Sequence, residues 1–279
     1  MKTTLNKTNI ILISIILLSL ISSTFLGMKL AILLCLLLFL IYLIITKHYF
    51  IKVYKGMKAY KIENYSNALE NYRDAALSKY CSGPIINNYL ICELKYGKPS
   101  IAREYIDENL ISKNIKSNEK LNLEVTKAIV LWKTNSQEEA INLLKHLIEN
   151  NKNTYIYETL TSLLLASGKF NEAKKYISEA LEFNSDNNII KSNYAELCFK
   201  FEQFDEAEKT FDYLINENVK FIEPYYYSAL LERKKGNCDK AFELLRIAES
   251  FNESLVSLIT HKDIEQALNS VLIKSLNIN

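Results

Sequence analysis

The sequence predicts an all-α protein with three parts: an N-terminal transmembrane helical hairpin, an α-solenoid of about six helix-turn-helix repeats, and a C-terminal capping helix. Two observations support this fold class. Residues 10–46 carry a single charged residue, Lys29, whereas charged residues recur throughout the chain from Lys47 onward. Within that charged part, one helical pattern returns about every 34 residues, which is typical of stacked repeats.

Two apolar runs, residues 10–26 and 30–46, form the predicted hairpin. Each is close to the ~17 to 25 residues that a helix needs to cross a bilayer. One straight helix over both runs would measure about 55 Å at ~1.5 Å per residue, which is too long for a single crossing. Lys29 lies between them, and a charged ammonium group is costly at the bilayer centre, so we expect it in an interfacial turn. Residues 1–47 are therefore predicted as a two-helix membrane anchor.

A cleaved signal peptide is the alternative for the first run, since Lys2 and Lys7 precede it. Residues 22–27 lack a clear small-x-small cleavage site, and the second run would anchor the chain even after cleavage. Five lysines also follow the second run, from Lys47 to Lys61, before any acidic residue appears. Positive flanks favour the cytoplasm, so both termini and the repeats are predicted on the cytoplasmic side of the cell membrane. Contact of this basic stretch with anionic lipid is the alternative explanation.

Alanines set the register of the repeats. Their successive spacings are 34, 38, 33, 34 and 34 residues, and they are Ala68, Ala102, Ala140, Ala173, Ala207 and Ala241. Two positions earlier stand mostly capping-type residues, which predict helix starts: Ser66, Ser100, Glu138, Asn171, Asp205 and Asp239. Turn residues such as Gly168 and Gly236 end the preceding helix. Each unit is therefore predicted as helix, turn, helix.

The clearest unit, residues 154–187, resembles the tetratricopeptide repeat family at eight positions: Tyr157, Leu160, Gly168, Phe170, Ala173, Tyr176, Ala180 and Leu181. The resemblance covers about 207 residues of repeats, predicted as 49–82, 83–116, 121–153, 154–187, 188–221 and 222–255. The first three units are degenerate, with Leu90 and Asn109 where small residues are usual. The resemblance implies a right-handed superhelix whose inner groove is lined by the first helix of each pair.

The last repeat needs a cover, and residues 256–279 are predicted to supply it as one or two amphipathic helices. A docking helix for a partner is the alternative for this segment.

The sequence offers no recognisable catalytic constellation. His48, His146 and His261 are far apart, and no glycine-rich phosphate loop or nucleophile elbow is present. The five cysteines lack paired spacing, which predicts neither a disulfide framework nor a zinc site. A net charge of +2 on mixed-sign helices gives no face suited to nucleic acid. We therefore predict no enzymatic activity, metal, cofactor or small-molecule substrate.

The predicted groove is aromatic and partly acidic, which would suit a basic or apolar peptide. Relatives that hold a chaperone's C-terminal carboxylate use Lys, Asn and Arg, and the equivalent positions here do not supply them. The predicted lining is Asn122, Trp132, Tyr155, Glu158, Ser162, Ser192, Glu196, Phe199, Glu223, Tyr226 and Arg233. Packing between repeats is the alternative role for each aromatic residue, including Trp132, the single tryptophan.

These features predict a membrane-anchored adaptor that presents its groove at the cytoplasmic face to an unidentified protein or peptide. Tethering through residues 10–46 in the lipid bilayer would raise the local concentration of the partner. Two alternatives remain. The chain could be a self-assembling membrane scaffold, and so a homo-oligomer, or a non-catalytic accessory subunit of a membrane or envelope biosynthetic complex.

Overall fold

The computed structural model describes residues 27–110 and 115–276, together with Ser14 and Leu17. Over these residues the chain forms fourteen α-helices, one π-helical segment and no β-strand. The predicted all-α class is confirmed. The first predicted membrane span, residues 10–26, lies outside the described residues apart from Ser14 and Leu17.

The helices follow one another with short connections. In chain order they are α1 Met28–Lys47, α2 Tyr49–Lys61, α3 Tyr65–Leu77, α4 Gly83–Tyr96, α5 Pro99–Tyr105, the π-helical segment Ile106–Leu110, α6 Ser117–Lys133, α7 Gln137–Asn150, α8 Thr154–Ala166, α9 Phe170–Phe183, α10 Asn188–Lys200, α11 Phe204–Asn216, α12 Ile222–Lys235, α13 Cys238–Glu249 and α14 His261–Leu276.

The second predicted membrane span falls within α1. Lys29 lies in the first turn of this helix, after Gly27, and so it is helical rather than part of a turn. Among the described residues, no single helix is long and apolar enough to cross a membrane. The pair Ile32–Lys47 and Tyr49–Lys61 passes that test only when taken together, with a bend of 46° between them. The predicted transmembrane hairpin is therefore not supported by the described residues.

The described residues divide into two compact units. The first contains residues 27–92 and 115–119, and the second contains 93–110 and 120–276. In the first unit α2 packs on α3, and Gly56 of α2 lies against the Tyr72 ring of α3. A Cβ atom on Gly56 would lie 2.7 Å from ring carbons of Tyr72. Only glycine allows this approach without a shift of the ring.

In each of the six repeats, the second helix begins three residues before the alanine that sets the register. This holds for α3, α5, α7, α9, α11 and α13, and the six alanines are all completely buried. A small side chain at this position lets the two helices of a pair approach closely, and any larger residue would have to displace its neighbours.

The predicted capping positions were wrong by two residues. Ser66 and its five equivalents are the second residue of each helix, not the cap that precedes it. The first cap is Asn64, whose side chain accepts a hydrogen bond from the Asn67 N–H at 3.2 Å. Short polar and acidic side chains suit the first turn as well as the cap, because the free amides and helix dipole favour them at both places.

The core of the second unit consists of two apolar clusters along the stack. One is built mainly from α6 to α10, and the other from α10 to α14. Ile264 and Leu268 of α14 are buried in the latter cluster, so this helix covers the last repeat. The cover begins at His261 rather than at Val256. Residues 250–260 are not helical.

Candidate binding surface

Three consecutive first helices of the second unit, α8, α10 and α12, lie side by side, with α10 in contact with both neighbours. Side chains of these helices meet at a surface here called the inner face, which includes the predicted groove residues Glu158, Ser162, Glu196, Phe199 and Glu223. The predicted groove residues Tyr155, Tyr226 and Arg233 are half-buried on the same three helices. The helical repeat therefore brings together residues that are separated by about 30 positions in sequence.

Hydrogen bonds join α8 to α10 across the inner face. The Asn193 side-chain amide donates to Thr161 Oγ1 at 2.8 Å and to Ser162 Oγ at 3.0 Å. The Asn187 amide donates to the Glu158 carboxylate at 2.6 Å. Asn193 is buried, and sequence reasoning did not identify it. Its spacing of 31 residues from Ser162 is the signal that could have done so.

A second polar contact joins α10 to α12. The Tyr227 hydroxyl donates to a Glu196 carboxylate oxygen at 2.7 Å. The Tyr227 ring is buried between Phe199 and Phe211, with centroid distances of 5.0 and 5.7 Å. Burial, together with the adjacent Glu196 carboxylate, raises the pKa of Tyr227 well above its ordinary value. The hydroxyl is therefore a fixed donor at any physiological pH.

The carboxylates of the inner face are partly withdrawn from water. Burial raises the pKa of Glu158, and the bond from Asn187 opposes that shift. Burial also raises the pKa of Glu196, while Tyr227 and Lys200 favour its charged form and Glu223 disfavours it. A charged partner would gain binding free energy from pairing with these carboxylates only if the new contacts were stronger than the hydrogen bonds that the carboxylates already accept.

Three predicted groove residues have other environments. Trp132 is only 6% exposed and belongs to the apolar core of α6 to α10, so the structure assigns it to packing. Ser192 is buried, and its hydroxyl has no hydrogen-bond partner in the described part of the chain. Asn122 is exposed on α6.

Arg233 is engaged at the far end of the inner face, where its guanidinium donates to the Ser270 hydroxyl of α14. This bond joins α12, the first helix of the last repeat, to α14, the helix that covers that repeat.

A non-helical segment passes over the inner face. This segment, residues 253–260, is here called the strap. Val256, Ser257, Leu258 and Ile259 enclose a small cavity of about 70 Å³ together with residues of α8, α10 and α12, among them Ser162, Asn193, Glu196 and Tyr227. Part of the predicted groove is therefore already covered by the chain itself.

The described residues hold no group of three or more His, Cys, Asp or Glu side chains placed to bind a metal ion. The five cysteines are free thiols, four of them buried and Cys35 partly so. The inner face offers hydrogen-bonding groups, apolar contact and the charge of a few carboxylates.

Comparison with known proteins supports the repeat architecture. The family model described as tetratricopeptide repeat matches residues 164–232. No curated protein matches the chain in sequence.

Several solved structures are similar. A tetratricopeptide repeat protein from Parabacteroides merdae has a TM-score of 0.51 at 15% identity, with 80% of this chain and 98% of that chain covered. MamA of MSR-1 gives 0.41 at 16% identity, covering 60% of this chain and 94% of that one. The TPR domain of P58(IPK) gives 0.36 at 11% identity, covering 83% and 67%. The chain therefore has the α-solenoid fold of tetratricopeptide repeat proteins, and residues 164–232 match that family in sequence.

Proposed function

We propose that this protein is a membrane-attached adaptor that binds a segment of another protein on the inner face of its repeats. The inner face itself is the observation that carries this proposal. It presents half-buried aromatic rings and carboxylates from three consecutive helices, a surface that an extended segment can follow. A protein-interaction role is consistent with the tetratricopeptide repeat fold.

Membrane attachment is supported by the surface of α1. Ile32 and Leu33 are 55% and 63% exposed, and several other leucine and isoleucine side chains of this helix are exposed to a similar extent. An apolar surface of this kind is costly in water and marks a place that another apolar phase covers. A lipid bilayer would cover it along with residues 10–26.

The next helix, α2, has features of a helix at a membrane interface. Phe50 and Tyr54 are exposed, with Lys47 and Lys58 ammonium groups 5.7 and 5.9 Å from their respective ring centroids. Exposed aromatic rings flanked by lysines suit the boundary between acyl chains and anionic headgroups. In this proposal the repeats lie on the cytoplasmic side, which the excess of lysines beside the apolar segment favours.

The binding role can be tested by site-specific photo-crosslinking in cells. A photoreactive amino acid at Glu223, on the inner face, is compared with one at Lys175, an exposed position on α9. We expect a discrete crosslinked protein from position 223 that is absent from position 175. Equal crosslinking from both positions, or none from either, would contradict the proposal.

Membrane attachment and topology are tested separately. The full chain is expected to stay in the membrane fraction after alkaline carbonate extraction, and a C-terminal reporter is expected to be active only if it functions in the cytoplasm. Activity of a reporter that requires export would overturn the cytoplasmic placement.

A self-assembling scaffold is the second candidate, because the exposed apolar side chains of α1 could also pack against another copy. The mass of the detergent-solubilised protein separates the two functions. A single chain supports the adaptor, whereas a stable oligomer together with crosslinks only between copies supports the scaffold.

A further inference from the structure

We infer that the strap is an internal ligand of the inner face, so that the site accepts a short, uncharged segment of aliphatic and hydroxyl residues and is filled by the chain's own segment in the free protein. This inference deepens the proposed function and rests on it only for the identity of the surface as a partner-binding site.

The path of the chain after α13 places the strap. Phe251 turns back onto α12, where its ring lies 5.4 Å from that of Tyr225 and 5.9 Å from the Lys220 ammonium nitrogen. The eight strap residues then cover the distance to the start of α14. The strap leaves and returns at one place, because Glu253 accepts a hydrogen bond from the His261 N–H. Its middle residues, 256–259, share one cavity with side chains of α8, α10 and α12.

The middle of the strap is seated on the repeats. Val256 packs against the apolar cluster of α6 to α10, and Ile259 is 8% exposed within the cluster of α10 to α14. Ser257 lies between them and lines the same small cavity as Ser162 and Glu196. The strap thus contacts side chains of three successive repeats, as a bound peptide would.

Polar bonds hold both ends of the strap. At its end, Thr260 and Asp263 form a reciprocal capping box: the Thr260 N–H donates to Asp263 Oδ2 at 2.8 Å, and the Asp263 N–H donates to Thr260 Oγ1 at 3.3 Å. At its beginning, Glu253 Oε1 accepts from the His261 N–H at 2.7 Å and lies 3.0 Å from His261 Nδ1. Glu253 and His261 close the strap into a loop across the inner face.

The composition of the strap defines the chemistry of the site. From Ser254 to Thr260 the segment reads Ser-Leu-Val-Ser-Leu-Ile-Thr and carries no charge. It lies beside Glu196, whose carboxylate already accepts from Tyr227, so no strap cation is needed to balance it. The sequence predicted that the groove would suit either a basic or an apolar peptide, and the strap that fills it is of the apolar kind.

Asn252, which directly precedes the strap, supplies a matched control. It is exposed and does not line the cavity, whereas Val256 is partly buried on the core. Val256→Glu should release the strap, because a charge on the core is costly, and Asn252→Glu should not. Glu253→Gln is a second variant that weakens the closure at His261 without changing any residue on the inner face.

The test uses the full chain in detergent with a fluorescein-labelled synthetic peptide that copies residues 252–261. The apparent affinity for such a peptide is proportional to the fraction of chains whose site is open. We expect Val256→Glu to bind it at least tenfold more tightly than the wild type or Asn252→Glu do, and Glu253→Gln to shift in the same direction by less. Strap amides should exchange faster with solvent in the same order, while the far-ultraviolet circular dichroism stays unchanged.

Equal peptide affinity in all four proteins, together with unchanged amide exchange in the strap, would overturn the inference. A wild-type dimer that exchanges its straps between copies would also overturn it, since the occupant would then be a second copy. If Val256→Glu loses its helical signal, Glu253→Gln decides the question alone. Failure of the crosslinking experiment at Glu223 leaves these outcomes unaffected, so the two proposals can fail independently.

Discussion

Loss of the Tyr227 hydroxyl should weaken the connection between α10 and α12. Tyr227→Phe removes one oxygen atom and leaves the half-buried Glu196 carboxylate without the donor at 2.7 Å. A hydrogen bond to a charged group contributes about 1.5–3 kcal/mol, and an unsatisfied buried acceptor adds to the loss. We expect the free energy of local unfolding at α10 and α12 to fall by about 2–3 kcal/mol.

Amide hydrogen exchange of α10 and α12 is the suitable measurement, because a stack of repeats does not unfold as a single two-state system. The expected loss corresponds to exchange about 30- to 150-fold faster, at 1.4 kcal/mol for each factor of ten. Tyr226→Phe is the matched control. This neighbour is half-buried on the same helix, and within the described chain its hydroxyl makes no hydrogen bond, so a change within about 0.5 kcal/mol is expected.

A double-mutant cycle isolates the pair. With Glu196→Met as the second change, the coupling energy between positions 196 and 227 should be about 1.5–3 kcal/mol. A coupling energy below about 0.5 kcal/mol would show that the contact contributes little, and the account of how these helices are joined would be wrong.

Three further substitutions, at Glu196, Gly56 and Asp263, give additional predictions. Glu196 has a raised pKa in the folded state. Between the ordinary carboxyl pKa and the raised one, the folded state therefore binds more protons than the unfolded state does. The free energy of unfolding falls as pH rises through that window. Glu196→Gln should therefore gain stability relative to the wild type across that window, and a pH-independent difference in amide exchange would contradict this. Gly56→Ala should destabilise the α2–α3 pair by about 1–3 kcal/mol, because the added Cβ meets the Tyr72 ring, and faster amide exchange in α2 and α3 would show it. Hydrogen bonds from Thr260 lower the pKa of Asp263, so the stability that Asp263 gives α14 is present above the ordinary Asp pKa and is lost as pH falls through the lowered one. Asp263→Ala should cost about 0.5–2 kcal/mol at neutral pH in an exchange measurement on α14, and this cost should shrink as pH falls below the ordinary Asp pKa.

The register of the repeats could be predicted from sequence because a steric requirement fixes it. Ala173 and its equivalents occupy a position where two helices meet, and larger side chains do not fit there. Such a requirement leaves the same residue type at the same spacing in every unit. The helix starts were less accurate, since the polar residues of the first turn and of the cap belong to the same few types.

The connections across the inner face could be predicted only in part. Glu158, Ser162 and Glu196 were identified as groove residues from their helical positions, yet their bonding partners were not. Asn193 was missed because a polar residue on a first helix gives no local sign of being buried. Its burial follows from the neighbouring repeat, which supplies the hydroxyl groups that accept from it.

The strap was missed for a related reason. Leu255, Val256, Leu258 and Ile259 are apolar residues followed by an amphipathic helix, and their spacing suggests that the helix begins with them. Thr260 and Asp263 carry the contrary signal, since a Thr-x-x-Asp box marks a helix start at His261. No local pattern tells where the preceding apolar residues go, because that depends on a surface formed by distant repeats.

The polar residues of the inner face are largely committed to holding the stack together. Glu158 accepts from Asn187, Glu196 from Tyr227, and Arg233 donates to Ser270. A basic partner would have to compete with these bonds and also desolvate its own charge, so it would gain little net free energy. An uncharged segment needs only the apolar surface and the remaining hydroxyl and amide groups. We therefore expect a lysine-containing version of the strap peptide to bind Val256→Glu more weakly than the uncharged copy does.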